Sequence, residues 1–353
     1  MTPRILIIGG GLAGTTLAWR LHERGLPFMI VDRDEPLTSS KVAAGLVTPI
    51  TGMRLSLSWR FGELYPEALA FYRSLESKLG TRFYHEVPIV QLLASEKAVT
   101  QWQKRRDQPE VQPYLKAPEP GPLVNDAIFA NPHGGFVQQH SGWMDTAAFL
   151  SASQRYFESL GSWQRGEFSS ERSDRSVGSD GSVLGEGQTY THAVFCIGWE
   201  AARHPWFDWV PFQSARGTVL QVSADTGGET RVVNNGCWLL PRGDGTLRVG
   251  PTYELNFDQP HTPAPETIAA LETRLRGLLK THHDITGSQT GVRPIIARRE
   301  ALIGTHPARP GIAFLNGLGS KGVLRAPWVA RQLTEHLLDG KPIEPELDLA
   351  GNL

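Results

Sequence analysis

Ile5-Leu6-Ile7-Ile8-Gly9-Gly10-Gly11-Leu12-Ala13-Gly14 opens the chain, and its reading decides the fold. Four β-formers run into Gly9-x-Gly11-x-x-Gly14, and a helical pattern follows with Leu12, Thr16, Trp19 and Leu21 on one side. Phe28-Met29-Ile30-Val31 reads as a second strand that stops at Asp32. This is the order a dinucleotide site needs. Gly9 allows the tight turn, Gly11 lets a pyrophosphate approach the backbone, and Gly14 lets helix and strand pack closely. The helix start then offers free N–H groups and a partial positive charge to the phosphates. Asp32 lies 18 residues after Gly14, near the spacing of a carboxylate that binds ribose hydroxyls. The plain alternative is a βαβ unit with a glycine turn and no ligand, and the motif by itself does not separate NAD from FAD.

With 353 residues the chain is long enough for two cores. Its net charge of −1 gives no overall pull toward nucleic acid or anionic membrane. No stretch approaches the roughly 18 apolar residues of a membrane span. A strand begun by Ile5 leaves no room for a signal peptide ahead of it. Cys196 and Cys237 do not form a disulfide framework, and Cys196 sits in an apolar run that reads as buried. A reduced, cytoplasmic compartment is expected.

Farther along, Val42-Ala43-Ala44-Gly45-Leu46 is a run of small residues that lets backbone come close to something flat, or simply turns tightly. A helix is predicted from about Trp59 to Leu79, ended by Gly80, with strands over 83–90 and 90–93. Five prolines in the fourteen positions 109–122 exclude a helix or central strand there. A helix is predicted over 143–160, with Asp145 near its start, and a strand over 163–168. Serine, glycine and charged residues at 169–189 mark a hairpin or meander. Thr191 to Gly198 reads as a buried parallel strand ending in glycine. Residues 215–256 alternate as antiparallel strands, turning at Arg242-Gly243-Asp244-Gly245, and 266–279 form an amphipathic helix. Ile312-Ala313-Phe314-Leu315 meets a second glycine turn, Gly317-Leu318-Gly319-Ser320-Lys321-Gly322, which opens a helix reaching about Leu338. Pro327 should kink that helix or end its first turn.

Taken in order, these pieces resemble the FAD-dependent oxidoreductases of the D-amino-acid oxidase superfamily. The resemblance rests on the first glycine motif, Ala43-Ala44-Gly45-Leu46, Cys196-Ile197-Gly198, Pro241-Arg242-Gly243-Asp244-Gly245 with Val249-Gly250, Gly291-Val292-Arg293-Pro294, and Gly317-x-Gly319-x-x-Gly322. The chain is most similar to the branch holding glycine oxidase and the oxidase half of the bifunctional enzyme that matures wobble uridine in tRNA. The resemblance implies an α/β fold, α+β overall. A glutathione-reductase-like FAD domain would comprise residues 1–80, 136–205 and 291–353. A second, mainly antiparallel domain over 81–135 and 206–290 would hold the substrate. It further implies that Leu12, Ala13, Asp32, Arg33, Ser40 and Lys41 line the ADP half of FAD, and that Phe168 offers backbone groups to adenine. Ala44, Gly45 and Leu46 would lie against the isoalloxazine ring, near Cys196 and Gly198. Leu318 to Val323 would contact its pyrimidine edge.

The implied chemistry is oxidation of a C–N bond by hydride transfer to flavin N5, followed by imine hydrolysis, with oxygen or a quinone as final electron acceptor. No residue stands out as an obligatory general base, so orientation and charge stabilisation would be the protein's share. Arg293 would clamp a substrate carboxylate, unless it forms a structural salt bridge. Lys321 would stabilise charge at the flavin or bind carboxylate, as a lysine does in sarcosine-oxidising relatives, and it reads equally as a solvated surface lysine. Arg248 points opposite to Leu247 and Val249 in a strand; it would act over the flavin or sit at an exposed edge. Arg54, in Thr51-Gly52-Met53-Arg54, is a weaker substrate candidate. Trp238 and Tyr253 would wall the site or pack in the core. The basic pair Arg298-Arg299, in place of the acidic segment usual in relatives, hints at a more anionic substrate. Two other readings stay open: removal of a carboxymethyl group from a modified tRNA uridine, and a flavin-binding protein without turnover. No metal site is expected.

Overall fold

The computed structural model describes residues 4–52, 54–168, 183–185, 188–297 and 300–352. The strand Ile5–Ile8 is buried along its whole length because it is covered on both faces. Ile5 and Ile7 pack with Trp19 and Leu21 of the helix Leu12–Glu23 and with Trp328 and Leu333 of the helix Gly322–Asp339. Leu6 and Ile8 pack on the other side with Phe195, Trp206, Phe207 and Phe314. Ile5–Ile8 lies inside a six-stranded sheet whose order is Trp163–Arg165, Phe28–Asp32, Ile5–Ile8, His192–Phe195, Ile312–Asn316, Leu302–Thr305. The first five strands pair in parallel, and the last runs antiparallel. The chain's two glycine turns therefore emerge from the same edge of one sheet.

A second sheet has seven strands, in the order His283–Arg293, Ala215–Ala224, Thr246–Gly250, Trp238–Pro241, Val232–Asn234, Ile89–Leu92, Gly135–Gln138. All its pairs are antiparallel except Val232–Asn234 with Ile89–Leu92. The helix Pro265–Leu278 covers one face, with Leu271, Leu275 and Leu278 against Leu92, Val222, Leu247 and Val249.

Several expectations shift for local reasons. The predicted boundaries at 135/136 and 290/291 fall at the start of Gly135–Gln138 and inside His283–Arg293, both strands of the seven-stranded sheet. The strand expected over 83–90 breaks at Pro88, and its halves, Tyr84–Glu86 and Ile89–Leu92, join different sheets. The helix expected from Trp143 begins at Thr146, because Asp145 caps it by accepting from the Ala148 N–H at 3.0 Å. Gly142–Met144 instead pairs with Leu46–Val47 and Tyr84–Glu86. A helix the sequence reading passed over, Glu96–Arg105, starts at the cap Ser95. The helix Gly322–Asp339 continues past Pro327. The proline cannot donate to the Val323 carbonyl, and the Tyr72 hydroxyl donates to it instead at 2.9 Å. Of the stretch at 169–189, the described part is a hairpin of Val183–Gly185 and Gln188–Tyr190. Its remainder lies outside the described residues, as do Met53, Arg298 and Arg299.

Candidate active site

Both glycine turns open onto one cavity of about 1190 Å³. Gly11, Leu12, Ala13 and Ser40 line one part of it, and Leu318 to Val323 another. Ala44, Gly45, Leu46, Cys196 and Gly198 line the wall between them. Each turn opens a helix that lacks a side-chain cap: Gly11 ahead of Leu12–Glu23, and Lys321 ahead of Gly322–Asp339. Two uncapped helix starts thus bring positive dipole ends to one cavity. That arrangement fits a molecule with phosphates at one end and an electron-accepting ring at the other. Ser40 adds to the fit, since its hydroxyl accepts from the Leu12 N–H at 3.0 Å and ties the small-residue segment to the first turn. Gly9, Gly14 and Gly317 support the turns without lining the cavity. A Cβ on Gly14 would overlap the Gly9 carbonyl oxygen, as close helix–strand packing demands.

The seven-stranded sheet supplies the rest of the cavity. Arg293, at the end of His283–Arg293, lies on the wall with its guanidinium 5.8 Å from the Tyr253 ring. Its Nη1 is buried with no hydrogen-bond partner, and no carboxylate pairs with it among the described residues. Burial pulls its pKa down, with Tyr253 opposing. The guanidinium lies flat against Gly217 on the neighbouring strand, where any Cβ would overlap it. Arg54, Trp238 and Tyr253 also line the cavity. Asn316, absent from the sequence reading, joins them; its amide donates to the Gly198 carbonyl at 2.8 Å, and its side-chain oxygen accepts from Gly317 N–H. An Asn directly before a glycine turn was the signal for it.

Lys321 is not a solvated surface lysine. Its Nζ donates to Thr48 Oγ1 at 2.7 Å and Thr51 Oγ1 at 3.2 Å. Burial, with Arg325 adding, pulls its pKa to about 8, while Glu300 opposes. The unfolded chain holds that proton up to the ordinary 10.5, so Lys321 makes stability rise with pH between about 8 and 10.5. Below pH 8 the buried ammonium costs about 3 kcal/mol relative to the neutral amine. Denaturant melts of the flavin-free protein from pH 7 to 10.5 should show this rise, and Lys321→Met should flatten it. Parallel pH curves for the two proteins would disprove the coupling.

Besides Gly9, Gly14 and Gly317, five sequence candidates lie away from the main cavity. Arg248 has the predicted orientation, opposite Leu247 and Val249, but neither faces the cavity nor sits at an exposed edge. Its Nη1 donates to the Ala43 carbonyl at 2.9 Å, and its Nη2 to that of Val42. It therefore braces the segment before Ala44-Gly45-Leu46 from behind. Burial lowers its pKa to about 10, and the neighbouring Arg242 adds to this. Arg33 is drawn to the surface by Glu200, 2.5 Å away. Lys41 pairs with Asp34 at 2.8 Å and, with Asp32, lines a smaller cavity beyond Gly10. Phe168 packs edge-on against Phe195, ring centroids 5.7 Å apart. Asp32, the fifth, holds the first turn: its Oδ2 accepts from Gly10 N–H at 2.5 Å and its Oδ1 from Asp34 N–H at 2.7 Å. Part of its accepting capacity thus holds the turn itself.

The brace makes a prediction. Arg248→Met takes a charged donor from each of two part-buried carbonyls, of which that of Ala43 keeps only Thr146 Oγ1 at 3.4 Å, at roughly 1–3 kcal/mol. We expect about tenfold weaker FAD retention in dialysis, partly restored in Arg248→Lys. Unchanged retention in the methionine variant would show that the segment holds itself.

Residues 4–336 match the model of the FAD dependent oxidoreductase family, DAO. The chain belongs to that family. It is 26% identical over 394 residues to the tRNA 5-methylaminomethyl-2-thiouridine biosynthesis bifunctional protein MnmC of Azoarcus sp. (strain BH72), covering 99% of this chain and 59% of that protein. It is 25% identical to the bifunctional protein ThiO/ThiG of Trichormus variabilis, covering 97% of this chain and 53% of the relative. The oxidoreductase thus spans somewhat more than half the length of these relatives. Among solved structures, glycine oxidase from Geobacillus kaustophilus superposes with a TM-score of 0.75 at 20% identity, over 97% of this chain and 96% of that one. Iminodiacetate oxidase from Chelativorans sp. BNC1 gives 0.74 at 19%, over 97% and 96%. At such identities the likeness is one of fold: a parallel FAD-binding sheet joined to a second, mainly antiparallel sheet. No described helix is long and apolar enough to cross a membrane.

Proposed function

We propose that this oxidoreductase removes two electrons from the C–N bond of a small amine or amino acid carrying a carboxylate, and that water hydrolyses the resulting imine. FAD, when bound, supplies the two-electron acceptor. Leu12, Ala13, Ser40, Ala44, Gly45, Leu46, Gly198 and Leu318 to Val323 are the residues that would hold it, since all line the shared cavity.

The unpaired Arg293 guanidinium carries this reading. A buried cation without an acceptor is costly unless an anion arrives, and a guanidinium grips a carboxylate with two parallel hydrogen bonds. Tyr253 beside it leaves the amine end of such a substrate free to point toward the turn at 317–322. Lys321, held by Thr48 and Thr51, places a second positive charge along that wall. The chain's own contribution is then orientation and charge, with the acid–base work left to water.

Anaerobic mixing with N-substituted glycines and D-amino acids, followed at the flavin absorbance, tests the proposal. Bleaching by a carboxylate amine supports it; no bleaching by any member leaves a flavin-binding protein without turnover. Admitting oxygen or a quinone afterwards identifies the acceptor.

A second reading has one observation of its own. The basic cavity wall and the match to MnmC accord with a carboxymethylamine borne on tRNA. That reading requires RNA affinity that falls steeply with salt.

A further inference from the structure

Basic side chains on the cavity wall are segregated. Arg54, Lys97, Arg274, Arg293 and Lys321 line it, whereas no Asp or Glu does so among the described residues. The whole chain is balanced, with 35 basic and 36 acidic residues, so the asymmetry is local. It does not serve the phosphate end. Gly11, Leu12, Ala13, Ser39 and Ser40 line that part and carry no charge, and Lys41 is turned toward Asp34.

Arg54, Lys97 and Arg274 come from three separate places: the segment after the strand Ile50–Thr51, the first turn of the helix Glu96–Arg105, and the helix Pro265–Leu278. Leu55 and Leu93 share one apolar cluster, against which Ala98 packs. Leu92, Leu271 and Leu275 share another. Leu92 and Leu93 line the cavity as well, so both clusters border it, and the three cations form its basic rim away from the phosphate end. Arg274 donates to the Pro251 carbonyl at 3.3 Å, and Pro251 and Tyr253 lie on the wall between it and Arg293. None of the three rim cations has a carboxylate within ion-pair reach among the described residues. One substrate carboxylate satisfies Arg293 and leaves the rim unmatched. A cleft lined by one sign of charge concentrates the opposite one.

We propose that the substrate is a small amine with two anionic groups, one held by Arg293 and the other by the rim of Arg54, Lys97 and Arg274. This rests on the amine-oxidation reading and narrows its substrate class. The second anion, a carboxylate or a phosphate, projects away from the oxidised C–N bond toward solvent.

The test uses the holoenzyme and two dead-end ligands in which sulfur replaces the amine, thiodiacetate with two carboxylates and (methylthio)acetate with one. Binding is read by perturbation of the flavin spectrum. Thiodiacetate should bind at least tenfold more tightly at low salt, and the preference should shrink at 0.5 M NaCl. In the double variant Lys97→Gln/Arg274→Gln the two ligands should bind within about twofold of each other. Both substituted residues are exposed, so folding is not at stake. In turnover, iminodiacetate should exceed N-methylglycine at least tenfold in kcat/KM. Equal binding of the two ligands, or a preference that survives the double substitution, overturns the proposal. So does oxidation of a tRNA-borne carboxymethylamine by an enzyme to which both small ligands bind equally. If neither amine is oxidised but thiodiacetate keeps its advantage, the two-anion site stands and the reaction proposed above falls. If both amines are oxidised equally well, the reverse holds.

Discussion

Arg293→Ala is expected to raise the KM of a carboxylate-bearing amine about 100-fold while the protein stays yellow. Truncating one partner of a buried, hydrogen-bonded charge pair costs roughly 2–5 kcal/mol, and 100-fold corresponds to about 2.7 kcal/mol. The free protein should tolerate the change, because the guanidinium has an unpartnered Nη1 and, among the described residues, no carboxylate that would be stranded. Its removal eliminates an uncompensated buried cation, so the melting temperature should hold or rise. Gly217→Ala offers an independent route to the same end. A methyl group there overlaps the guanidinium and must displace it, although Arg293 itself is untouched. Steady-state kinetics with FAD occupancy read from the visible spectrum checks both variants. Loss of flavin in step with loss of activity would make Arg293 a structural residue.

Gly45→Ala should cost the protein its flavin altogether. Gly45 has φ +68°, a left-handed conformation that costs an L-residue roughly 1–2 kcal/mol. A Cβ there would also overlap the Met144 carbonyl oxygen and lie 2.9 Å from its carbon. The obstacle is backbone of the strand Gly142–Met144 and cannot rotate away. That strand pairs with Leu46–Val47, and the Met144 N–H donates to the Gly45 carbonyl at 3.0 Å. The methyl group therefore pushes the cavity wall at Ala44–Leu46 off the strand that holds it. We expect a colourless protein, with stability lowered by about 3 kcal/mol from strain and overpacking together. A yellow Gly45→Ala protein with an unchanged melting temperature would mean that this wall has slack.

Much of the fold was legible because its signals are local. A run of apolar residues into Gly9-x-Gly11-x-x-Gly14, and a second into Gly317-x-Gly319, each demand strand, turn and helix, whatever the rest of the chain does. Arg293 was legible too, through its motif. The sheet edges were not. Gly135–Gln138 looks like the start of the segment that follows it, yet its hydrogen bonds run to Ile89–Leu92, more than forty residues earlier. Arg33 and Lys41 sit where sequence puts ligand contacts, but Glu200 and Asp34 claim them first.

The sequence by itself determined that two glycine turns, each fed by a buried strand, would present helix starts to a dinucleotide, because turn and strand chemistry act over a few neighbouring residues. Only the tertiary structure decided which arginines face the cavity. Arg248 and Arg293 lie in strands on either side of Ala215–Ala224; one spends its donors on the Val42 and Ala43 carbonyls, and the other's Nη1 finds no acceptor among the described residues. Whether a buried charge is satisfied depends on what the folded chain packs against it, and no spacing along the sequence encodes that.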